Sequence, residues 1–270
     1  MDSPPTIPVP RPWLSVVVPV KDERDNLVPL TEQLLKVLGS QDRSRTAPFE
    51  ILYIDDGSTD GSGPLLDQLA DQYGAVLVRH FDRNYGQTSA FAAGFREAKG
   101  ELIVTMDGDL QFDPADIPTL LPLADRYDLV CGWRKDRHDN VVRKASSRIA
   151  YFFRHAVIGD QIHDTGCSLK VFRRAVAERL QLFEGMHRFF PALARMHGFS
   201  ITEVPVRHLP RAHGISKYGI GNRLFKSLYD LVAVKWMQGR VLRYSFRTGT
   251  GREARGAREN QEVGKRSERG

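Results

Sequence analysis

The chain has 270 residues, 41% hydrophobic and 27% charged, which excludes wholesale disorder, a collagen-like repeat and a polytopic membrane protein. Its net charge of +6 is concentrated at one end: nine Lys/Arg stand against four Asp/Glu from Arg240 to Gly270, and the rest of the chain carries only +1. A nucleic-acid binder more often spreads a basic face over its folded body, so no nucleic-acid partner is expected. Two cysteines, Cys131 and Cys167, are too few for a disulfide framework, and "MDSPPTIPVPRPW" lacks the apolar core of a secretory leader; a reducing cytoplasm is the expected setting.

In chain order, residues 1–12 hold five prolines and read as a flexible lead-in. A folded body is expected over 13–206. It opens on "WLSVVVPV", a β-branched run that reads as a buried strand. Leu27, Leu30, Leu34 and Leu38 then recur at helical spacing over Asp25–Leu38. "FEILYIDDGS" is strand then turn, Gly61–Tyr73 a helix, "AVLVRHF" a strand and Gln87–Ala98 a helix. "ELIVTMDGD" is a strand, Ala115–Asp125 a helix and "DLVCGWR" a strand. This alternation predicts an α/β fold, a mostly parallel central sheet covered by helices on both faces. In such sheets ligands bind beyond the carboxyl ends of the strands, where "PVKDE", "DDGSTDGS", "RNYGQT", "DGDLQ" and "GWRKD" all fall. Further on, Val142–Ile158 and His187–His197 read as helices, and "CSLKVF" and "FSITEVPV" as strands. A basic loop follows over 207–222, then an amphipathic helical region over 223–247. The stretch 248–270, almost without apolar residues, reads as a disordered basic tail.

Asp107-Gly108-Asp109-Leu110-Gln111 is the sharpest chemical signal. Two carboxylates one residue apart at a strand end can converge on one hard cation, Mg²⁺ or Mn²⁺, with the Gln111 amide oxygen completing the protein side. The triplet alone is equally compatible with a plain Asp-Gly turn. Asp55-Asp56-Gly57-Ser58 repeats the pattern at another strand end, as a base or ribose acceptor or as a turn with a helix cap. No G-x-G-x-x-G follows the first strand and no P-loop occurs, which argues against a dinucleotide dehydrogenase and a Walker-type ATPase. Zinc-ligand spacing is absent around His163 and Cys167. Between Val206 and Arg240 seven Lys/Arg face one acid, Asp230, a balance suited to neutralising phosphates but also to a solvated basic loop.

The blocks "VVVPVKDERDNL", "ILYIDDGSTDGS", "RNYGQTSAFAAGF", "VTMDGDLQFDP", "GWRKDR", "HDTGCSLKVF" and "HGISKYG", in order from about Leu14 to Met237, resemble the family-two glycosyltransferases. Within these they are similar to the dolichol-phosphate-mannose-synthase and bactoprenol-glucosyltransferase branch. The resemblance implies a GT-A fold, a UDP- or GDP-hexose donor, a divalent metal on the D-x-D triplet, a polyprenyl phosphate acceptor and inversion at the anomeric carbon. It places Pro19, Lys21 and Glu23 along the base pocket, with Lys21 standing where the mannose branch often has an aromatic residue. It implies nucleoside contacts for Ile54 and Asp56. Donor phosphate and metal fall to Asp107, Gly108 and Asp109, with Asp109 and Gln111 as the more direct ligands. Arg134 is implied on the donor side, and Arg211 and Lys217 between donor and acceptor phosphates. Asp164 is implied as a group that positions sugar or acceptor, with base catalysis second, because a phosphate monoester is already largely ionised near neutral pH.

A polyprenyl phosphate lives in a bilayer, yet no apolar run here reaches the ~18 residues of a spanning helix. Leu224, Leu228, Leu231, Val232 and Lys235 follow helical spacing, with Phe225, Trp236 and Met237 beside them and Arg223, Lys226 and Arg240 flanking. Such a helix can lie on an anionic membrane surface, or pack on the body of the protein. A separate membrane subunit is a third source of anchoring. Peripheral association with the cytoplasmic membrane face is expected. The alternatives are transfer to a polysaccharide or another soluble acceptor, against which no Q-x-x-R-W motif is found, and a non-catalytic nucleotide- or RNA-binding protein.

Overall fold

A computed structural model describes residues 11–45, 47–134, 151–210 and 221–242. The chain divides into two units, Met1–Gly239 and Arg240–Gly270, and the sheet and helices belong to the first. The sheet has seven strands: β1 (Leu14–Val20), β2 (Phe49–Asp55), β3 (Val76–His80), β4 (Leu102–Thr105), β5 (Leu129–Trp133), β6 (Lys170–Arg173) and β7 (Ile201–Pro205). Their order is β3-β2-β1-β4-β6-β5-β7. Each apolar run became a strand because its β-branched residues fit a sheet covered on both sides.

The α-helices are α1 (Arg24–Gly39), α2 (Ser62–Gln72), α3 (Gln87–Glu97), α4 (Ile117–Leu120), α5 (151–158), α6 (Arg174–Arg179), α7 (Phe190–Met196) and α8 (Gly221–Gln238). The leucine stripe of α1 is fully buried in one core cluster with Val16, Val18, Ile51 and Tyr53. A second cluster joins Val17, Leu52 and Ile103 to Phe91 and Phe95 of α3 and Phe190 of α7. Successive side chains of β1 thus go to opposite layers, as strand geometry requires.

Two expectations are corrected. Ala115–Asp125 is not one helix but a 3₁₀ turn (Pro114–Asp116), the single turn α4 and a second 3₁₀ turn (Leu121–Asp125). Pro118 and Pro122 have no N–H to give, so a continuous ladder cannot form. His187–His197 likewise begins as a 3₁₀ turn over Met186–Phe189 before α7, whose first turn contains Pro191. Of the helix expected over 142–158, residues 142–150 lie outside the described residues.

The direction of β6 decides what the sheet can present. β1 runs parallel to β2 and β4, β2 to β3, and β5 to β7, whereas β6 is antiparallel to both β4 and β5. Six strands therefore end at one pole, and β6 begins there. The chain just before β6, residues 163–169, is brought to the carboxyl ends of the others.

Candidate active site

That pole is built from the turns after β1, β2, β4 and β5 and the segment before β6. The first two turns are laced together. Asp22 N donates to Ser58 Oγ (2.9 Å), Thr59 N to Asp22 Oδ1 (2.7 Å), Glu23 N to Ser62 Oγ (3.1 Å) and Arg24 N to Asp60 Oδ2 (3.0 Å). Lys21 Nζ donates to the Gly57 carbonyl at 2.6 Å and lies 3.5 Å from Asp22. Gly57, at φ 68°, is required: a Cβ there would stand 2.5 Å from the Arg83 carbonyl carbon. Asp22 adopts φ 52°, costly for a residue with a side chain, and is held there by these bonds. Pro19 lies opposite Ile54 in the β1–β2 register, and Glu23 accepts from Asn26 Nδ2.

Asp55, the last residue of β2, and Asp56, just past it, differ in use. Asp55 accepts from Ser58 N (2.9 Å) and faces His80 Nδ1 (2.8 Å). Asp56 accepts from Asn84 Nδ2 (3.1 Å), Tyr85 N (2.6 Å) and Gly86 N (2.9 Å), so it anchors the loop that leads into α3. Burial pushes its carboxyl up, against the pull of the Tyr85 and Gly86 amides. Ile54 has a fully buried side chain in the cluster with Val17, Leu52 and Phe91; its side chain is core.

Gln87, the first residue of α3, donates from Nε2 to Asp107 Oδ1 at 2.7 Å. Asp107 N donates to Ser168 Oγ (3.1 Å), which joins the β4 turn to the segment before β6. Asp109 is buried, and its Oδ1 accepts from Gln111 N at 3.2 Å. Gly108 packs close to the end of β1, 3.4 Å from the Pro19 carbonyl to a would-be Cβ. Leu110, between Asp109 and Gln111, is the other described non-glycine residue with positive φ, at 58°. Burial first, and then the charge of Asp109, push the Asp107 carboxyl up to about 6.

Two crowded carboxylates of this kind suit a hard divalent cation. Among the described residues no group of three or more His, Cys, Asp or Glu converges on one point. An ion here would draw on Asp107 and Asp109 and leave positions for substrate oxygens, which is how Mg²⁺ is commonly held.

On the far side, Arg134 and Asp164 form a bidentate pair, Nε–Oδ2 2.6 Å and Nη2–Oδ1 2.9 Å, nearly closed to solvent. Burial pulls the guanidinium down, and Asp164 more than reverses this. The guanidinium also stands over the Phe112 ring at 5.6 Å. Glu203 of β7 fixes the backbone that carries Asp164: it accepts from His163 N (3.0 Å), Asp164 N (3.3 Å) and, across 2.8 Å, faces His163 Nδ1. The His163 ring stacks on Trp133, the residue before Arg134.

The basic loop is tethered at its start. Arg207 is paired with Asp113 (2.9 Å) and Asp116 (2.8 Å), and Leu209 N donates to the Gln111 carbonyl at 2.9 Å. Arg211 and Lys217 lie outside the described residues. The residues read from the sequence at 107–111, 134 and 164 are thus drawn to one pole with those at 19–23 and 56. Asn84, Gln87, Ser168, Lys170 and Glu203 were not singled out, although "RNYGQT" marked the loop and a lysine inside the apolar run "CSLKVF" was a visible irregularity.

Residues 15–181 match the family model Glycosyl transferase family 2. The chain is 38% identical over 248 residues to the dodecaprenyl-phosphate galacturonate synthase of Rhizobium johnstonii, covering 90% of this chain and 71% of that protein. It is 37% identical over 222 residues to the undecaprenyl-phosphate 4-deoxy-4-formamido-L-arabinose transferase of Edwardsiella ictaluri, covering 82% and 67%. Among solved structures, glucosyl-3-phosphoglycerate synthase from Mycobacterium tuberculosis, in complex with Mn²⁺, UDP and glucosyl-3-phosphoglycerate, superposes with a TM-score of 0.59 at 17% identity, over 86% of this chain and 81% of that one. The mannosyltransferase PcManGT from Pyrobaculum calidifontis, in complex with GDP-Man and Mn²⁺, superposes with a TM-score of 0.55 at 19% identity, over 87% and 66%. These two share the fold, which meets the GT-A expectation. With a family match over more than half its length and such relatives, the chain belongs to glycosyl transferase family 2.

Proposed function

We propose that the protein is an inverting glycosyltransferase that moves a hexosyl unit from a UDP- or GDP-hexose to a polyprenyl phosphate at the cytoplasmic face of the membrane. One observation carries the reading: the half-buried Asp107 and the buried Asp109 share their pole with an Arg134–Asp164 pair nearly closed to solvent, in a chain whose relatives are named for polyprenyl-phosphate sugars. Asp107 and Asp109, with Gln111, would hold Mg²⁺ or Mn²⁺, which supplies Lewis-acid stabilisation of the leaving nucleotide diphosphate. Pro19, Lys21, Glu23, Ile54 and Asp56 belong to the wall that receives the nucleoside, Ile54 through its main chain. Gly108 lets the donor phosphates approach the backbone, and Arg134 offers them positive charge. Asp164, oriented by Arg134 and Glu203, positions the sugar or the acceptor. Arg211 and Lys217 balance the charge where donor and acceptor phosphates meet; fixed cations at developing charge are usually the largest catalytic contribution. The acceptor phosphate oxygen attacks the anomeric carbon opposite the leaving group.

No described helix is long and apolar enough to cross a membrane. Helix α8 supports peripheral contact. Leu231 and Val234 are buried against Ile158 of α5 and Phe189 and Leu193, while Leu228, Val232 and Trp236, one turn apart, stay exposed. One side docks on the body and the other offers an apolar row with Lys235 beside it, suited to an anionic interface.

The test is a donor screen: the full chain with Mn²⁺ or Mg²⁺, a panel of UDP- and GDP-sugars and a short-chain polyprenyl phosphate, with product read by mass. Transfer to the lipid phosphate supports the reading; transfer only to soluble acceptors, or no transfer from any donor, overturns it.

A further inference from the structure

The proposed chemistry makes no use of the most deeply buried cation among the described residues of the pole. Lys170 opens β6, opposite Thr105 of β4 and Cys131 of β5, and is only 2% exposed. Its Nζ donates to main-chain carbonyls, those of Cys167 and, at 3.4 Å, Thr165. Among the described residues no carboxylate stands at ion-pair distance from it. An ammonium without a carboxylate in direct contact is expensive to bury, far more so than the apolar residue that an interior strand position would ordinarily hold.

Its surroundings point to the D-x-D turn. Lys170 lies two residues beyond Ser168, whose Oγ accepts from Asp107 N (3.1 Å) and whose carbonyl accepts from Thr105 Oγ1 (2.6 Å). The carbonyls it holds belong to the turn between Asp164 and Ser168. The charge of Lys170 is felt at Asp107, in the same direction as that of Arg134.

We propose that Lys170 is a positioning residue. It is a fixed buried cation beneath the Asp107–Asp109 turn, balancing the two carboxylates before a divalent ion arrives and holding the 164–168 segment against β4. This rests on the reading that the two aspartates receive that ion. The two roles give opposite signs when Lys170 is replaced. If it were only a cross-link for carbonyls, its loss would loosen the turn and weaken metal binding. As a buried charge, it repels an incoming dication, so its loss tightens metal binding.

The experiment titrates Mn²⁺ into the full chain by calorimetry, with UDP or GDP present and at a pH well above the ordinary carboxylate range. Lys170→Met removes charge and donors, Lys170→Gln removes charge but keeps a donor, and Lys170→Arg keeps both. Melting temperature is recorded for each. The expected result is Mn²⁺ affinity raised about fivefold or more in Lys170→Met or Lys170→Gln, a modest share of the Coulomb repulsion between a buried unit charge and a dication in one site, with Lys170→Arg close to wild type. Unchanged or weaker affinity in a folded uncharged variant overturns the proposal, as does failure of both uncharged variants to fold, which would make Lys170 a requirement of the fold alone. If wild type itself binds no Mn²⁺ with either nucleotide, the metal reading falls and this proposal with it; if wild type binds and the variants do not tighten, only the role of Lys170 falls.

Discussion

Adjacent side chains of one type do different work at this pole. Asp55 and Asp56 end the same strand, yet one is bonded to His80 and the other to the loop before α3. Asp109→Asn should abolish transfer while leaving the melting temperature within a few degrees of wild type, since it removes charge with little change of shape; full activity of this variant in EDTA would contradict the metal role. Arg134→Ala leaves the Asp164 carboxylate buried without its bidentate partner. Breaking such a pair costs about 3–5 kcal/mol, and the Arg134→Ala/Asp164→Ala double variant should lose clearly less than the two single losses combined. Denaturant unfolding of the four proteins checks this, and simple additivity would mean that the pair is not coupled. His80 gives a pH signature. Burial pulls its imidazole down, but the bonds to Asp55 and Asp67 raise it above its ordinary value. A raised folded-state value favours the protonated protein, so the contribution is complete below about 6.5 and is lost as pH rises through the higher folded value. Stability of wild type relative to His80→Gln should therefore be greatest in mild acid and shrink toward alkaline pH; a gap that widens with pH would reverse the assignment.

Among the elements, those set by local pattern were legible and those set by distant partners were not. The leucine stripe of α1 and the β-branched run of β1 announce themselves, since each buried position shows in the spacing. The segment Ala115–Asp125 had an apolar pattern but also Pro118 and Pro122, and the missing donors outweighed the pattern. The pattern of α8 suits either a membrane surface or a packing helix; in the fold Leu231 and Val234 pack on the body while Leu228, Val232 and Trp236 stay exposed. Trp236 and Met237, neighbours in sequence, part company: Trp236 is exposed and Met237 packs against the cluster of α5, α7 and α8. Leu231→Ala should then lower stability by about 2–4 kcal/mol through a cavity. Changing Leu228, Val232 and Trp236 together to Ser should leave the melting temperature nearly unchanged and weaken co-sedimentation with anionic vesicles at low and high salt alike, because apolar burial is not screened. Normal vesicle binding by that triple variant would move the membrane contact elsewhere, to another part of the chain or to a partner.

For the whole molecule, the decisive feature is the reversed strand. The strand–helix alternation predicts parallel strands and so a pole of carboxyl ends, which is what puts Lys21, Asp56, Asp107 and Arg134 together. Nothing in the local pattern of "CSLKVF" says that β6 runs the other way, because strand direction follows from what it pairs with: Val104 of β4 and Val130 of β5, both facing Val171. That reversal brings Asp164, Ser168 and Lys170 to the pole. It also explains why the resemblance could point to Asp164, while the bonds that orient it, from Arg134 and Glu203, are visible only in the fold. The parts of the site that a single strand end could carry were legible; those made by two or three strands meeting were not. On the proposed reading, the pole joins a nucleotide sugar to a lipid phosphate with the metal at Asp107 and Asp109. The most direct measurement is the anomeric configuration of the product, by proton NMR, from an α-linked donor and a short-chain polyprenyl phosphate, with Mn²⁺ and then with EDTA. The expected product is a β-linked sugar on the lipid phosphate, formed with Mn²⁺ and abolished by EDTA. A retained α linkage, or a product formed equally well in EDTA, would contradict it.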